Sequence, residues 1–443
     1  MRYTPDDILA FVRENDVRFV RLQFTDILGT IKNVAIPAAG LPRVLAEGCA
    51  FDGSSIEGFV RIEESDMLLR PDLDTFLIYP WRNQDGGQVA RLICDVTTMD
   101  GEPFAGDPRT CLKQAVAEAA NMGLTLDVGP ELEFFLFHVD GNGRPTTHSH
   151  DTGGYFDLGP VDRGEDCRRD ICHTLENMGF AVEGSHHEVA PAQHEIDFRH
   201  GEALVTADNV MTFKLVVKSV AQQHGLHATF MPKPVYDISG SGMHINLSLR
   251  RGEDNVFHDE SDALGLSREA YSFMAGLLEH IEPMTLLLNP LVNSYKRLAG
   301  GYEAPVHIAW SAGNRSPLIR VPRSSGKNTR LELRSPDPAC NPYLAFAACL
   351  RAGLDGMTRG LPAPAPVNEN IFALSKSRRA KDGIARLPVS LQEAMRLYSA
   401  SEFLPGVLGE HIFSKYLAAK KEEWRQYSSR VSAWELEQYL GRY

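Results

Sequence analysis

Two carboxylates stand two residues apart in the run Asp127-Val-Gly-Pro-Glu131-Leu-Glu133-Phe-Phe-Leu-Phe137. Read as a strand, the run puts Glu131, Glu133, Phe135 and Phe137 on one face and Leu132, Phe134 and Leu136 on the other. Apolar residues on both faces predict burial, and buried carboxylates need a partner. Two chemistries remain open on this segment alone: a sheet end with solvated glutamates, or a metal site that draws further ligands from elsewhere.

Three more segments alternate in the same way. Gln193-His-Glu195-Ile-Asp197 carries Glu195 on its polar face, with Glu188 just upstream. Met243 to Leu249 aligns His244, Asn246 and Ser248, and Thr329 to Ser335 aligns Arg330, Glu332 and Arg334. Glu131, Glu133, Glu188, Glu195, Glu332 and His244 form a donor set suited to Mg²⁺ or Mn²⁺ rather than to structural zinc, which favours thiolates and imidazoles. Arginines beside carboxylates point to a phosphate or carboxylate ligand held between metals and guanidiniums.

The elements that must position these residues read as follows. Thr4-Pro-Asp-Asp opens a helix, and Val17–Thr25 and Thr30–Ile36 read as strands about a turn at Asp26–Gly29. With further strands at Thr75–Tyr79 and Arg91–Val96, residues 1–103 form a small mixed-sheet domain in which Phe51 to Phe59 is a loop. Asp107-Pro108 opens the helix that begins a second domain, residues 104–443. There Met122–Val139 is a strand, Asp140–Gly154 a polar loop, and Glu165–Met178 and Asp208–His224 helices. Leu361-Pro-Ala-Pro-Ala-Pro is an extended linker, and a mainly helical tail follows. No Walker A motif and no complete G-x-G-x-x-G is present, so a nucleotide would bind without a P-loop.

Composition narrows the class. The chain has 443 residues, 43% of them hydrophobic, and a formal charge of −13, which speaks against non-specific nucleic-acid or anionic-membrane binding. No apolar run approaches a membrane span, and the N-terminus has no apolar secretory segment. Seven cysteines without C-x-x-C spacing fit free thiols in a reducing, cytoplasmic setting.

The chain resembles the type I glutamine synthetases. The likeness runs through Phe51-Asp-Gly-Ser-Ser-Ile-Glu-Gly-Phe59, the Gly129 to Phe135 segment, Lys233-Pro, Gly240-Ser-Gly-Met-His244, Asn293 to Leu298, Tyr302-Glu-Ala-Pro305, Arg330 to Arg334 and Asp337 to Tyr343, in order over nearly the whole length. It implies an α+β fold: a small N-terminal β-grasp-like domain and a large catalytic domain with a curved antiparallel sheet flanked by helices. It implies ATP-dependent joining of ammonium to glutamate through a γ-glutamyl phosphate. One metal would take Glu133, Glu188 and Glu195; the other Glu131, His244 and Glu332.

The remaining roles come from the same resemblance. Gly240, Arg297 and Arg334 match substrate-binding positions, and Arg315 the position that stabilises phosphate charge in transfer. Ser248, Arg315, Arg320 and Arg330 match the nucleotide end; for a lone arginine such as Arg320, a surface ion pair is the competing reading. Glu303 matches a lid residue that takes a proton from ammonium. Asp52 matches the ammonium site of the neighbouring subunit, against an Asx-turn as the plainer reading. Ser239 stands where the family usually has Asn, which touches substrate binding rather than reaction class. The family assembles as dodecamers of two stacked hexamers. Asn370-Ile-Phe372 occupies the place of the loop whose tyrosine some members adenylylate; phenylalanine has no hydroxyl to modify. The shorter subtype resembled here is controlled by glutamine feedback, with Arg61 at the sensing position, and binds transcriptional regulators. Two other readings are carried forward: ligation of glutamate to another amine, and a non-catalytic homologue.

Overall fold

The computed structural model describes residues 3–56, 58, 66–81, 86–299, 304–324 and 326–443. Near the N-terminus, helix Pro5–Glu14 is closed by a reciprocal cap. The Thr4 hydroxyl accepts from Asp7 N, and the Asp7 carboxylate accepts from Thr4 N. Its inward residues, Ile8 and Val12, cover a five-stranded sheet. The strands lie in the order Ile31–Pro37, Val17–Thr25, Gln88–Thr98, Asp66–Ile78 and Cys49–Asp52. The second and third are parallel and the rest antiparallel, so the sheet is mixed. Part of the segment expected as a loop is strand, because Phe51 and Asp52 pair with Met67 and Asp66. The 66–78 strand is also longer than the expected Thr75–Tyr79; Pro71 sits inside it, and its register is irregular between Asp72 and Leu77.

Among the described residues the larger sheet has eleven strands centred on Thr125–Val139, and helices Pro108–Asn121 and Ala203–Gln223 pack against that strand. Leu132, Phe134 and Leu136 enter the main core with Phe213 and Phe230. Phe135 and Phe137 lie on the opposite face, in a small separate cluster with Ala190 and Ala192. Both halves of the expected alternation are therefore present. Two elements depart from expectation. Pro145–Ser149, inside the supposed polar loop, pairs with the central strand. The helix read from Asp208 starts at Ala203, where Glu202 gives no side-chain cap to mark it.

The two sheets are joined by a buried seam. Ile27, at the tip of the Asp26–Gly29 turn, is fully buried in the main core. Asn341 caps helix Pro342–Arg359 by accepting from Tyr343 N, and its amide donates to Asp26 O and Ile27 O at 3.0 and 3.3 Å. Arg109 adds a salt-bridge hub: it reaches Asp72 and Asp95 on the N-terminal sheet and Asp208 on the long helix, at 2.8, 2.6 and 2.8 Å. Among the described residues, no helix is long and apolar enough to cross a membrane.

Candidate active site

Strand register brings the sequence-predicted ligands together. His244 and Asp197 stand opposite Glu131 on its two sides, Glu195 opposite Glu133, Glu332 opposite Asn246, and His186 opposite Glu195. Directly opposed residues share a face and lie about 5 Å apart. A row of carboxylates and imidazoles therefore crosses the sheet on one side.

At one end, His244 Nδ1 lies 3.3 Å from Glu131 and 3.7 Å from Glu332. Asn246 donates to the other Glu131 oxygen at 2.8 Å, and Arg330 donates to Asn246 at 3.0 Å. Burial would raise the Glu131 pKa, but these donors and the Arg330 charge hold it at about 2. Glu332 also meets Arg320 at 2.6 Å and Arg334 at 3.2 Å. At the other end, His186 Nε2 is 3.8 Å from Glu188 and 3.7 Å from Glu195. Burial, followed by repulsion from Glu133, Asp197 and Glu131, pushes Glu195 up to about 11. Asp197 rises to about 7 for the same kind of reason, with Glu131 and Glu183 as its repelling neighbours. A row of crowded, half-buried carboxylates that cannot all ionise together is matched to divalent cations, which supply the missing positive charge and accept oxygen donors.

Two cavities meet this row. One, of ≈ 330 Å³, is lined by Glu131, Asp197, Asn246, Ser248, Lys327 and Arg330, among others. The other is a cleft of ≈ 40 Å³ lined by Glu133, Glu188, Gln193, Ser239, Gly240, His244, Arg297, Ala304 and Arg334. Gly240 is required there, since a Cβ would lie 2.2 Å from Pro232 O. Arg297 is buried and donates to Ser335 O and Arg334 O at 2.7 and 3.3 Å, which fixes its guanidinium at the cleft wall. Arg334 donates in turn to Arg315 O.

Sequence reasoning missed three contributors. Gln193 is buried and ties the two halves of the cleft together, donating to Glu133 at 2.8 Å and to Gly240 O at 3.1 Å. The Glu133 oxygen that Gln193 meets also accepts from Gly242 N, at 2.9 Å. Tyr155 stacks on Phe156 beside His186, near the Arg315 charge; its only sequence signal was an aromatic pair after Gly153-Gly154. The third is a buried brace behind Glu188. Asp151 accepts from Ala192 N at 2.8 Å and lies 3.2 Å from His187 Nε2, while His187 Nδ1 lies 2.7 Å from Glu188 O. This brace holds the turn between Glu188 and Gln193 at both ends.

The other expected residues distribute unevenly. Arg320 is engaged with Glu332 and lines neither cavity. Asp52 sits on the N-terminal sheet and accepts from Ser54 N and Oγ at 2.8 and 2.9 Å, the Asx-turn arrangement, and within one chain it lines neither cavity. Arg61 and Glu303 lie outside the described residues.

Family models match almost the whole chain: a glutamine synthetase beta-grasp domain over residues 16–99 and a glutamine synthetase catalytic domain over residues 105–439. The chain belongs to the glutamine synthetase family. It is 58% identical over 442 residues to a glutamine synthetase of Clostridium saccharobutylicum, covering 100% of both chains. It is 55% identical to a glutamine synthetase of Staphylococcus aureus, covering 100% of this chain and 99% of that one. Among solved structures it is similar to a GmaS–ADP complex, with TM-score 0.89, 34% identity and coverage of 98% and 99%. A Plasmodium falciparum glutamine synthetase gives TM-score 0.87 at 26% identity, covering 99% of each chain. The β-grasp sheet and the curved catalytic sheet are the glutamine synthetase architecture, and the activity that comes with it is ATP-dependent glutamine synthesis using divalent metal.

Proposed function

We propose that this chain makes glutamine from glutamate, ammonium and ATP at the row of carboxylates between the two cavities, through a γ-glutamyl phosphate. The observation that carries the reading is the convergence of Glu131, His244 and Glu332 at one end of the row and of Glu188 and Glu195, with Glu133 opposite, at the other. These six would hold two or more Mg²⁺ or Mn²⁺ ions, which when bound neutralise the charge that keeps two anionic reactants apart.

The chain's own residues do the rest. The cavity bearing Ser248 and Arg330 takes the nucleotide, and Arg320 supports that end through Glu332. The cleft with Gly240, Arg297 and Arg334 takes glutamate, the arginines gripping its carboxylates and the transferred phosphoryl group. Arg315 stabilises phosphate charge beside Tyr155. Glu303 closes the cleft, accepts a proton from ammonium and keeps water from the acyl phosphate. Asp52 reaches the ammonium site of an adjoining subunit, which fits its not lining the cleft of its own chain. The same reading assigns residues 1–103 to the β-grasp-like domain and 104–443 to the catalytic domain. It also assigns a cytoplasmic setting, a dodecamer of two hexamers, glutamine feedback through Arg61, and docking of transcriptional regulators. Exposed Val431, Trp434, Leu440 and Tyr443 on the C-terminal arm support ring-to-ring docking.

The test is phosphate release by the purified protein with ATP, Mg²⁺, glutamate and ammonium, each omitted in turn, with glutamine measured alongside. Release that needs all four and matches glutamine one to one is expected. Turnover only with another amine in place of ammonium, or none from the assembled protein, would overturn the assignment.

A further inference from the structure

Beside the pairing of His307 with Arg386, the chain carries a further basin of ≈ 610 Å³. Its charged lining is Lys376, Arg379 and Arg386, and its other walls include His307, Phe372 and Ile384. Among the described residues no carboxylate lines it. Asp382, the nearest acid along the chain, is bound to Arg378 at 2.5 Å instead. On a chain of formal charge −13, three cations gathered without an acid are a local reversal of sign.

The basin is a built feature. Ile308 N donates to Ala385 O at 2.9 Å and Leu387 N to Val306 O at 3.0 Å, so His307 and Arg386 are held opposite each other on a short antiparallel ladder. Arg379 is fixed by donating to Leu374 O at 2.7 Å and Ile371 O at 3.2 Å. These neutral acceptors orient the guanidinium and leave its charge unmatched. Phe372 stands edge-on to the His307 ring at 5.9 Å. His307 is only 8% exposed, and its Nδ1 has no hydrogen-bond partner. Burial and the charges of Arg379 and Arg386 hold that imidazole neutral, down to about 4, so it adds a hydrogen-bonding group and no fourth charge.

We infer that this basin binds a compact dianionic metabolite, a dicarboxylate or a phosphate monoester, between Lys376, Arg379 and Arg386 with His307 and Phe372 behind it. Two anionic groups meet three cations, one of them the Arg379 guanidinium already held in place by its backbone acceptors, so the charge-assisted bonds need little reordering. The inference is independent of the ligase assignment, since its readout is binding.

The test is calorimetric titration of the assembled protein, its nucleotide site preloaded with ADP, with malonate in one arm and methyl phosphate in another. The comparison protein is the double variant Lys376→Gln/Arg386→Gln, in which both changed side chains are exposed, with an unchanged melting temperature as the check on folding. Saturable binding of at least one probe is expected, weakened at least about tenfold in the variant and by added salt. Malonate alone would identify a carboxylate ligand, and methyl phosphate alone a phosphate ester. No saturable binding of either probe, equal affinity in the variant, or equal affinity for the monoanion acetate would overturn the inference.

Discussion

Gln193→Leu is the sharpest probe of how the cleft is organised. The native side chain donates to Glu133 at 2.8 Å and to Gly240 O at 3.1 Å, and it is buried. Leucine fills a similar volume but donates nothing. Among the described residues one Glu133 oxygen then keeps only Gly242 N, at 2.9 Å, and Gly240 O loses its side-chain donor. A hydrogen bond to a charged acceptor contributes about 1.5–3 kcal/mol. Loss of such a support behind a ligand costs metal affinity by about tenfold to a hundredfold. The assay is Mn²⁺ binding to the assembled protein by calorimetry, with thermal unfolding as the check on folding and the glutamate KM as a second readout. Weaker Mn²⁺ binding at the Glu133 end together with a raised glutamate KM is expected. Mn²⁺ affinity and KM both within about twofold of wild type, in a folded protein, would refute the claim that Gln193 couples the two halves of the cleft.

Two further outcomes follow from charge burial. In metal-free protein Glu195 is held up to about 11 and Asp197 to about 7. A carboxyl whose folded pKa exceeds its unfolded value contributes stability below the unfolded pKa and loses it as pH rises toward the folded one, so the melting temperature in EDTA falls between about pH 6 and 9. Excess Mn²⁺ removes that slope, and EDTA melts that do not differ across the interval would contradict it. Asp107→Ala removes a buried cap that accepts from Arg109 N at 3.1 Å, Thr110 Oγ1 at 2.8 Å and Val96 N at 3.3 Å. Loss of about 1–2 kcal/mol of unfolding free energy is expected, measured by denaturant titration if the assembled protein unfolds reversibly.

Much of the site was legible because a strand repeats every two residues. Glu131 and Glu133, His244 and Asn246, and Arg330 and Glu332 each had to share a face whatever their partners were. The reciprocal cap at Thr4 and the helix start at Asp107 were legible for a similar reason, since short-range chemistry marks them. Register between strands was not: no local signal says that Glu133 faces Glu195 or that His244 faces Glu131. Gln193 looked like one more polar residue on an alternating strand, and its role comes from burial against a loop 47 residues away. Asp151 and His187, 36 residues apart, meet only because the chain folds back behind the Glu188 turn. Pro145–Ser149 read as loop because it lies between Asp140-Gly-Asn-Gly and Gly153-Gly154; it pairs as a strand because a sheet edge is available beside Phe137–Val139.

The ladder that assembles the carboxylates also sets what the gene can tolerate. Lengthening the Asp140–Arg144 turn would add solvent-exposed chain at little cost. A single codon inserted at Gly129 would rotate every later residue of the central strand to its opposite face. Glu131 and Glu133 would then point at Phe213 and the helices behind the sheet, while Leu132 and Phe134 would point into the row of acids. The mutational neighbourhood of this strand is therefore discontinuous: substitutions grade the site's strength, whereas a one-residue change of frame within the strand exchanges the site for the core.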